Sequence, residues 1–143
     1  MKRVELLDDH YCFACGNLNP IGMHLVFERS PERVSAEFTP RRDYQGYAGL
    51  VHGGIICTLL DEAMAYMAST LDCFAVTARL EVRFRKPAVV DEPVCVSASI
   101  EEDRGKTIIL QAEIKNKKGQ IIAEGRSVFV RGKKHNPQPK GPV

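Results

Sequence analysis

The hydrophobic pattern along the chain takes a helical period in one stretch. From Gly53 to about Leu71, apolar residues fall at Ile55, Ile56, Leu59, Leu60, Ala63, Met64 and Met67, the spacing of one wide helical face. On both sides the pattern is that of strands. Upstream, Met23 to Glu28 and Arg33 to Phe38 are apolar segments separated by Arg29-Ser30-Pro31-Glu32. In the second, Val34, Ala36 and Phe38 alternate with Ser35 and Glu37, so the pair predicts a hairpin. Downstream, Leu80, Val82 and Phe84 alternate with Arg79, Glu81, Arg83 and Arg85 until Pro87 stops the run. Val94, Val96, Ala98 and Ile100 then alternate with Cys95, Ser97, Ser99 and Glu101. The turns Asp103-Arg104-Gly105-Lys106 and Asn116-Lys117-Lys118-Gly119 lead into Ile108 to Ile114 and Ile121 to Val130. The predicted order is two strands, one long helix, then four strands in an antiparallel meander. A helix apolar over so wide a face has to be covered, which makes the fold class α+β: a long central helix wrapped by a curved antiparallel sheet of about six strands.

The ends and flanks of that helix carry the candidate chemistry. His52-Gly53-Gly54 opens it, where free backbone N–H groups and the positive end of the helix dipole can bind an anion or polarise a carbonyl oxygen. Cys57, Asp61, Ala65 and Ala68 share one flank, so a single carboxylate sits among small residues that another backbone can approach. Gly53 and Asp61 are separated by roughly 12 Å along the axis, too far to act on one reacting group. If both belong to one site, two antiparallel copies of the helix must supply it, which predicts an obligate dimer with two equivalent sites. The loop from Thr39 to Val51, with Tyr44 and Tyr47, is too long for a simple turn; loops of that length beside a helix start often line a site.

Composition narrows the classes. At 143 residues one domain is expected over residues 1–132, with an N-terminal arm at 1–11 and a basic, Pro- and Gly-rich tail at 133–143 expected to be mobile. A net charge of +2 with 27% charged residues points neither to a nucleic-acid partner nor to an acidic disordered chain. No apolar run reaches the ~18 residues of a membrane span, and the N-terminus breaks too soon for a signal peptide, so a cytoplasmic location with no membrane partner is expected. Five cysteines, an odd number, fit a reduced compartment. Cys12-Phe13-Ala14-Cys15 reads as half a zinc site, a redox pair or a structural turn, with His10 and His24 within sequence reach. Without a second such pair or a strand-then-helix context the turn is preferred, and no metal or cofactor is assigned.

Taken in order, Cys12-Phe13-Ala14-Cys15-Gly16, Asn19-Pro20-Ile21-Gly22, Tyr44-Gln45-Gly46-Tyr47-Ala48-Gly49-Leu50-Val51-His52-Gly53-Gly54, Leu60-Asp61-Glu62-Ala63, Val76-Thr77-Ala78-Arg79-Leu80 and Arg85-Lys86-Pro87 resemble the hotdog-fold acyl-CoA thioesterases. The resemblance is to the PaaI-like branch that includes the human thioesterase superfamily members 4 and 5, and it covers nearly the whole chain outside the tail. It implies a hotdog fold and an acyl-CoA substrate hydrolysed to free acid and CoA. It also implies a role for each of four residues. Gly53 supplies the N–H that polarises the thioester carbonyl, His52 steadies the loop and the carbonyl pocket, Asp61 is the catalytic carboxylate, and Thr77 helps hold the attacking water beside Asp61. Asp61 and Thr77 would face Gly53 of the partner subunit. Such chemistry needs an oxyanion site and a base, with Asp61 deprotonating water or attacking directly to form a mixed anhydride. Gly54, Tyr44, Tyr47, Met64 and Met67 are the candidate substrate-binding residues. Gly46 stands where the phenylacetyl-type branch has an asparagine six residues before the histidine, which argues against aromatic acyl groups. The expected assembly is a homodimer, extending to a dimer of dimers. The alternative is a non-catalytic acyl-thioester binding protein on the same fold, which would have no use for Asp61 beside a thioester.

Overall fold

The computed structural model describes residues 8–71 and 75–132, so the expected tail, the first seven residues of the arm and Cys73 lie outside the described residues. Its elements are β1 (Glu28–Arg29), β2 (Val34–Phe38), α1 (Gly53–Ser69), β3 (Ala75–Phe84), β4 (Val94–Asp103), β5 (Thr107–Asn116) and β6 (Ile121–Arg131). The strands form one antiparallel sheet in the order β1-β2-β4-β5-β6-β3.

Two expectations are corrected. The meander holds for β4, β5 and β6, but β3 does not pair with β4. One edge of β4 is taken by β2, with Phe38 opposite Val94, and the other by β5, so β3 joins the free edge of β6 instead. The chain between them crosses over through Pro87 and a bridge from Val89 to Leu50. The first hairpin is also far shorter than expected. Met23, Leu25 and Phe27 do alternate inward, yet the Met23 and Leu25 N–H groups donate to Phe13 O and Ala14 O, so the Cys12–Cys15 turn takes their hydrogen bonds and leaves two residues for β1.

α1 lies over one face of the sheet. Ile56, Leu59, Leu60, Ala63, Met64 and Met67 are buried against Val34, Ala36, Val96, Ala98, Leu110, Ile114 and Phe129. Each large side chain so buried contributes about 1.5–3 kcal/mol. The helix comes close to the sheet at Gly125, where an added Cβ would stand 3.3 Å from Leu60 Cβ and Met64 Cε. A second layer covers the helix from the N-terminal side, with Phe27 stacked on Tyr66 at 4.7 Å between ring centroids. The buried arc therefore extends to Glu62 and Tyr66, beyond the stripe read from the sequence. Cys57, Asp61 and Ala65 remain half-buried on the flank toward β3.

Candidate active site

The start of α1 is built so that one backbone donor is left over. The Ile55 and Ile56 N–H groups both donate to His52 O, and the Gly54 N–H donates to His52 Nδ1 at 2.8 Å. Of the first four helical N–H groups, only that of Gly53 has no acceptor among the described residues. His52 is thus the N-cap, and its own N–H donates to Tyr44 O at 2.8 Å. Tyr44 fixes the loop that presents this end. Its hydroxyl donates to Gly22 O and accepts from Arg41, whose guanidinium sits over the ring. Gln45 Oε1 then closes the loop by accepting from the Gly49 N–H.

Eight residues on, Asp61 faces β3. Thr77 Oγ1 donates to Asp61 Oδ1 at 2.7 Å, a short charge-assisted contact between a strand hydroxyl and a helix carboxylate. The strand is irregular there: Thr77 lies opposite Phe129 and Arg79 opposite Val128, so Ala78 is an extra residue that kinks the ladder. Farther along β3, Phe84 lies over the helix start, its ring 3.6 Å from where a Gly53 Cβ would be. The strand therefore passes both ends of the candidate site, Asp61 first and Gly53 last. Cys57, one turn before Asp61, has its thiol pKa pushed up by burial and by the Asp61 charge, which keeps it protonated.

The other expected residues are distributed differently. Tyr44, Met64 and Met67 are packed in the core, and Met64 Sδ accepts from the Ser127 hydroxyl. Tyr47 stands out at 87% exposure. Gly54 is exposed, with its N–H occupied by His52. Two residues near the site escaped the sequence reading. Phe84 was visible only as an inward position of a strand, and Glu62 only as an ordinary helix carboxylate. A groove of about 660 Å³ on the opposite face of the sheet, lined by Arg33, Glu81, Arg83, Glu113, Glu124 and Arg126, is remote from Asp61. Of its charged residues, Arg33 pairs with Glu113, Glu124 with Arg85 and Arg126 with Glu101.

Comparison with known proteins places the chain in a family and a fold. The profile of the thioesterase superfamily matches residues 48–123, from the loop before α1 into β6. Acyl-coenzyme A thioesterase 13 of Mus musculus is 29% identical over 101 residues, which span 68% of this chain and 71% of that protein. A solved thioesterase superfamily protein superimposes with a TM-score of 0.80 at 26% identity, over 90% of this chain and 68% of its own. The PaaI protein of E. coli, from the phenylacetic acid degradation operon, superimposes with a TM-score of 0.76 at 19% identity, over 81% of this chain and 84% of its own. Among the described residues no helix is long and apolar enough to cross a membrane.

Proposed function

The chain belongs to the thioesterase superfamily, its helix-in-sheet architecture is the hotdog fold, and on that premise we propose that it hydrolyses acyl-coenzyme A with Asp61 as general base. Water held between Asp61 and Thr77 gives its proton to Asp61 and attacks the thioester carbon. The oxyanion that forms is bound by the Gly53 N–H, and collapse of the intermediate expels the CoA thiolate, which is then protonated. The observation that carries this reading is the 2.7 Å bond from Thr77 to Asp61, paired with the first-turn N–H of Gly53, which has no acceptor among the described residues.

The two halves are separated by roughly 12 Å on one helix, so the complete site is assigned to a dimer, Asp61 and Thr77 of one subunit working with Gly53 of the partner subunit. What supports this is β3. It forms one end of the sheet, is ten residues long where the opposite edge β1 has two, and shows Val76 at 48% and Phe84 at 57% exposure. An open edge of that length invites pairing with a second copy. Pairing of two such dimers is the proposed higher assembly. Half-buried or exposed cysteines with no disulfide among the described residues, Cys15, Cys57 and Cys95, support a reducing, cytoplasmic setting. The proposed roles of Tyr47 and of Met64 and Met67 are to meet the acyl-CoA at the loop and to set the depth available to its acyl chain.

The test is thiol release from short, medium, long and aryl acyl-CoAs by the wild type and Asp61→Asn. Turnover of at least one substrate, with a loss of about 10²-fold or more in kcat for the variant as a folded dimer, is expected. Binding of acyl-CoA without hydrolysis by the wild type would replace the enzyme with the binding-protein reading.

A further inference from the structure

Beside the helix, on the face next to Asp61, three side chains converge that the hydrolytic reading does not use. Cys12 Sγ, Cys15 Sγ and a carboxylate oxygen of Glu62 all lie within 4.8 Å of one another. The two thiols are half-buried, and Glu62 is 6% exposed. The cysteines come before residue 48, outside the stretch that the superfamily profile matches.

The turn holding the thiols is tightly built. The Gly16 N–H donates to Cys12 O at 2.9 Å, and a Cβ at Gly16 would strike Cys12 N at 2.2 Å, so only glycine can follow Cys15 here. This fixes both sulfurs toward α1. From the other side the helix delivers Glu62, whose Oε1 is 3.9 Å from Cys12 Sγ. For a tetrahedral ion with Zn–S near 2.3 Å and Zn–O near 2.1 Å, the S···O separation would be about 3.6 Å. The Cys12–Glu62 separation is within a few tenths of an ångström of that value, and the set of three lies within 4.8 Å.

A redox pair needs two sulfurs and no third donor, whereas a carboxylate oxygen within 4.8 Å of both thiols adds a ligand suited to a divalent cation, and two thiolates select a soft one.

We propose that Cys12, Cys15 and Glu62 bind one zinc ion, which fastens the N-terminal segment to α1 one residue from Asp61. On binding, each thiol loses its proton, two Zn–S bonds and one Zn–O bond form, and the site carries a net charge of −1. Solvent completes the fourth position. Because two protons are released, affinity rises with pH.

The experiment uses the full chain, reduced and stripped with a chelator. Equilibration with Zn²⁺ is expected to leave one ion per chain after dialysis and to raise the Tm by several degrees. Co²⁺ in its place is expected to give a thiolate charge-transfer band, which reads the wild type without any substitution. Cys12→Ser and Cys15→Ser should abolish both signals, and Glu62→Gln should weaken Zn²⁺ binding by about tenfold or more. Asp61→Asn should bind as the wild type does, which separates this site from the hydrolytic one. The proposal is overturned if the wild type retains no zinc, if it retains zinc equally in Cys12→Ser/Cys15→Ser, or if the bound cobalt shows no sulfur band.

Discussion

The bond between Thr77 and Asp61 makes a quantitative demand. At 2.7 Å it is a hydroxyl donating to a carboxylate, a type of contact that contributes about 1.5–3 kcal/mol once bound substrate excludes water from it. If the same geometry orients the base in the transition state, Thr77→Val should lower kcat by roughly tenfold to a hundredfold, since each 1.36 kcal/mol is tenfold in rate. Stability should move far less, within about 0.5 kcal/mol, because the hydroxyl is exposed and valine suits a strand at least as well. Thr77→Ser keeps the donor and should keep most of the rate. The decisive comparison is a cycle with Asp61→Asn. Thr77 holds the water that Asp61 deprotonates, so with the base already removed Thr77→Val should change the residual rate of Asp61→Asn by no more than about twofold. The assay is thiol release under saturating acyl-CoA, with sedimentation to confirm an unchanged assembly. A Thr77→Val enzyme as fast as the wild type, or penalties that multiply in the double variant, would refute the coupling.

Three further outcomes follow from other contacts. Val76→Lys places a charge on the exposed edge of β3 and should yield a folded, monomeric and inactive chain by sedimentation and thiol release; an active monomer would remove the two-subunit site. Gly125→Val drives methyl groups into Leu60 and Met64, 3.3 Å from where its Cβ would sit, and should cost about 1–3 kcal/mol by urea unfolding; an unshifted midpoint would mean that the helix and sheet are less closely packed there. Arg131 donates to both oxygens of Asp103, and together with the Gly105 N–H it lowers that carboxyl pKa from 3.8 to about 2. A lowered carboxylate pKa stabilises the fold above the unfolded value, and that contribution fades as pH falls from about 3.8 through 2. Arg131→Ala should return the Asp103 titration, followed by NMR, toward 3.8, and a midpoint that stays near 2 would assign the shift to the Gly105 N–H alone.

The helix was legible because its period and its opening His-Gly-Gly are local properties, and β4 to β6 because each turn joins neighbours in sequence. The position of β3 was not legible. Its alternation says which face is wet but nothing about which edge it joins, and that depends on β2 having already occupied β4. The same limit hid Phe84, which meets Gly53 only across the fold. Asp61 stood out by its place among small residues on the helix flank, but Thr77 was marked by resemblance alone, since a strand threonine sixteen residues from a helix carboxylate carries no local signal. Met23 to Phe27 alternates as a strand should, yet its backbone partners are in the Cys12–Cys15 turn, a competition invisible to periodicity. Glu62 looked like one more polar residue of an amphipathic helix until the N-terminal segment was seen to cover it.

The strand order also sets a schedule for folding. As the chain leaves the ribosome, α1 and β3 emerge in succession, but among the described strands of its own chain β3 pairs with β6 alone, which is made last of them. β2, β4 and β5 can assemble as they appear, with short loops between β4 and β5. Residues 75–84 must wait through the synthesis of nearly forty more. Until Ile121 to Arg131 arrives, no ladder holds Thr77 in place, so the helix carboxylate is complete long before its partner. A nascent chain halted before β6 would contain every residue of the candidate site and have no strand to bring Thr77 to Asp61.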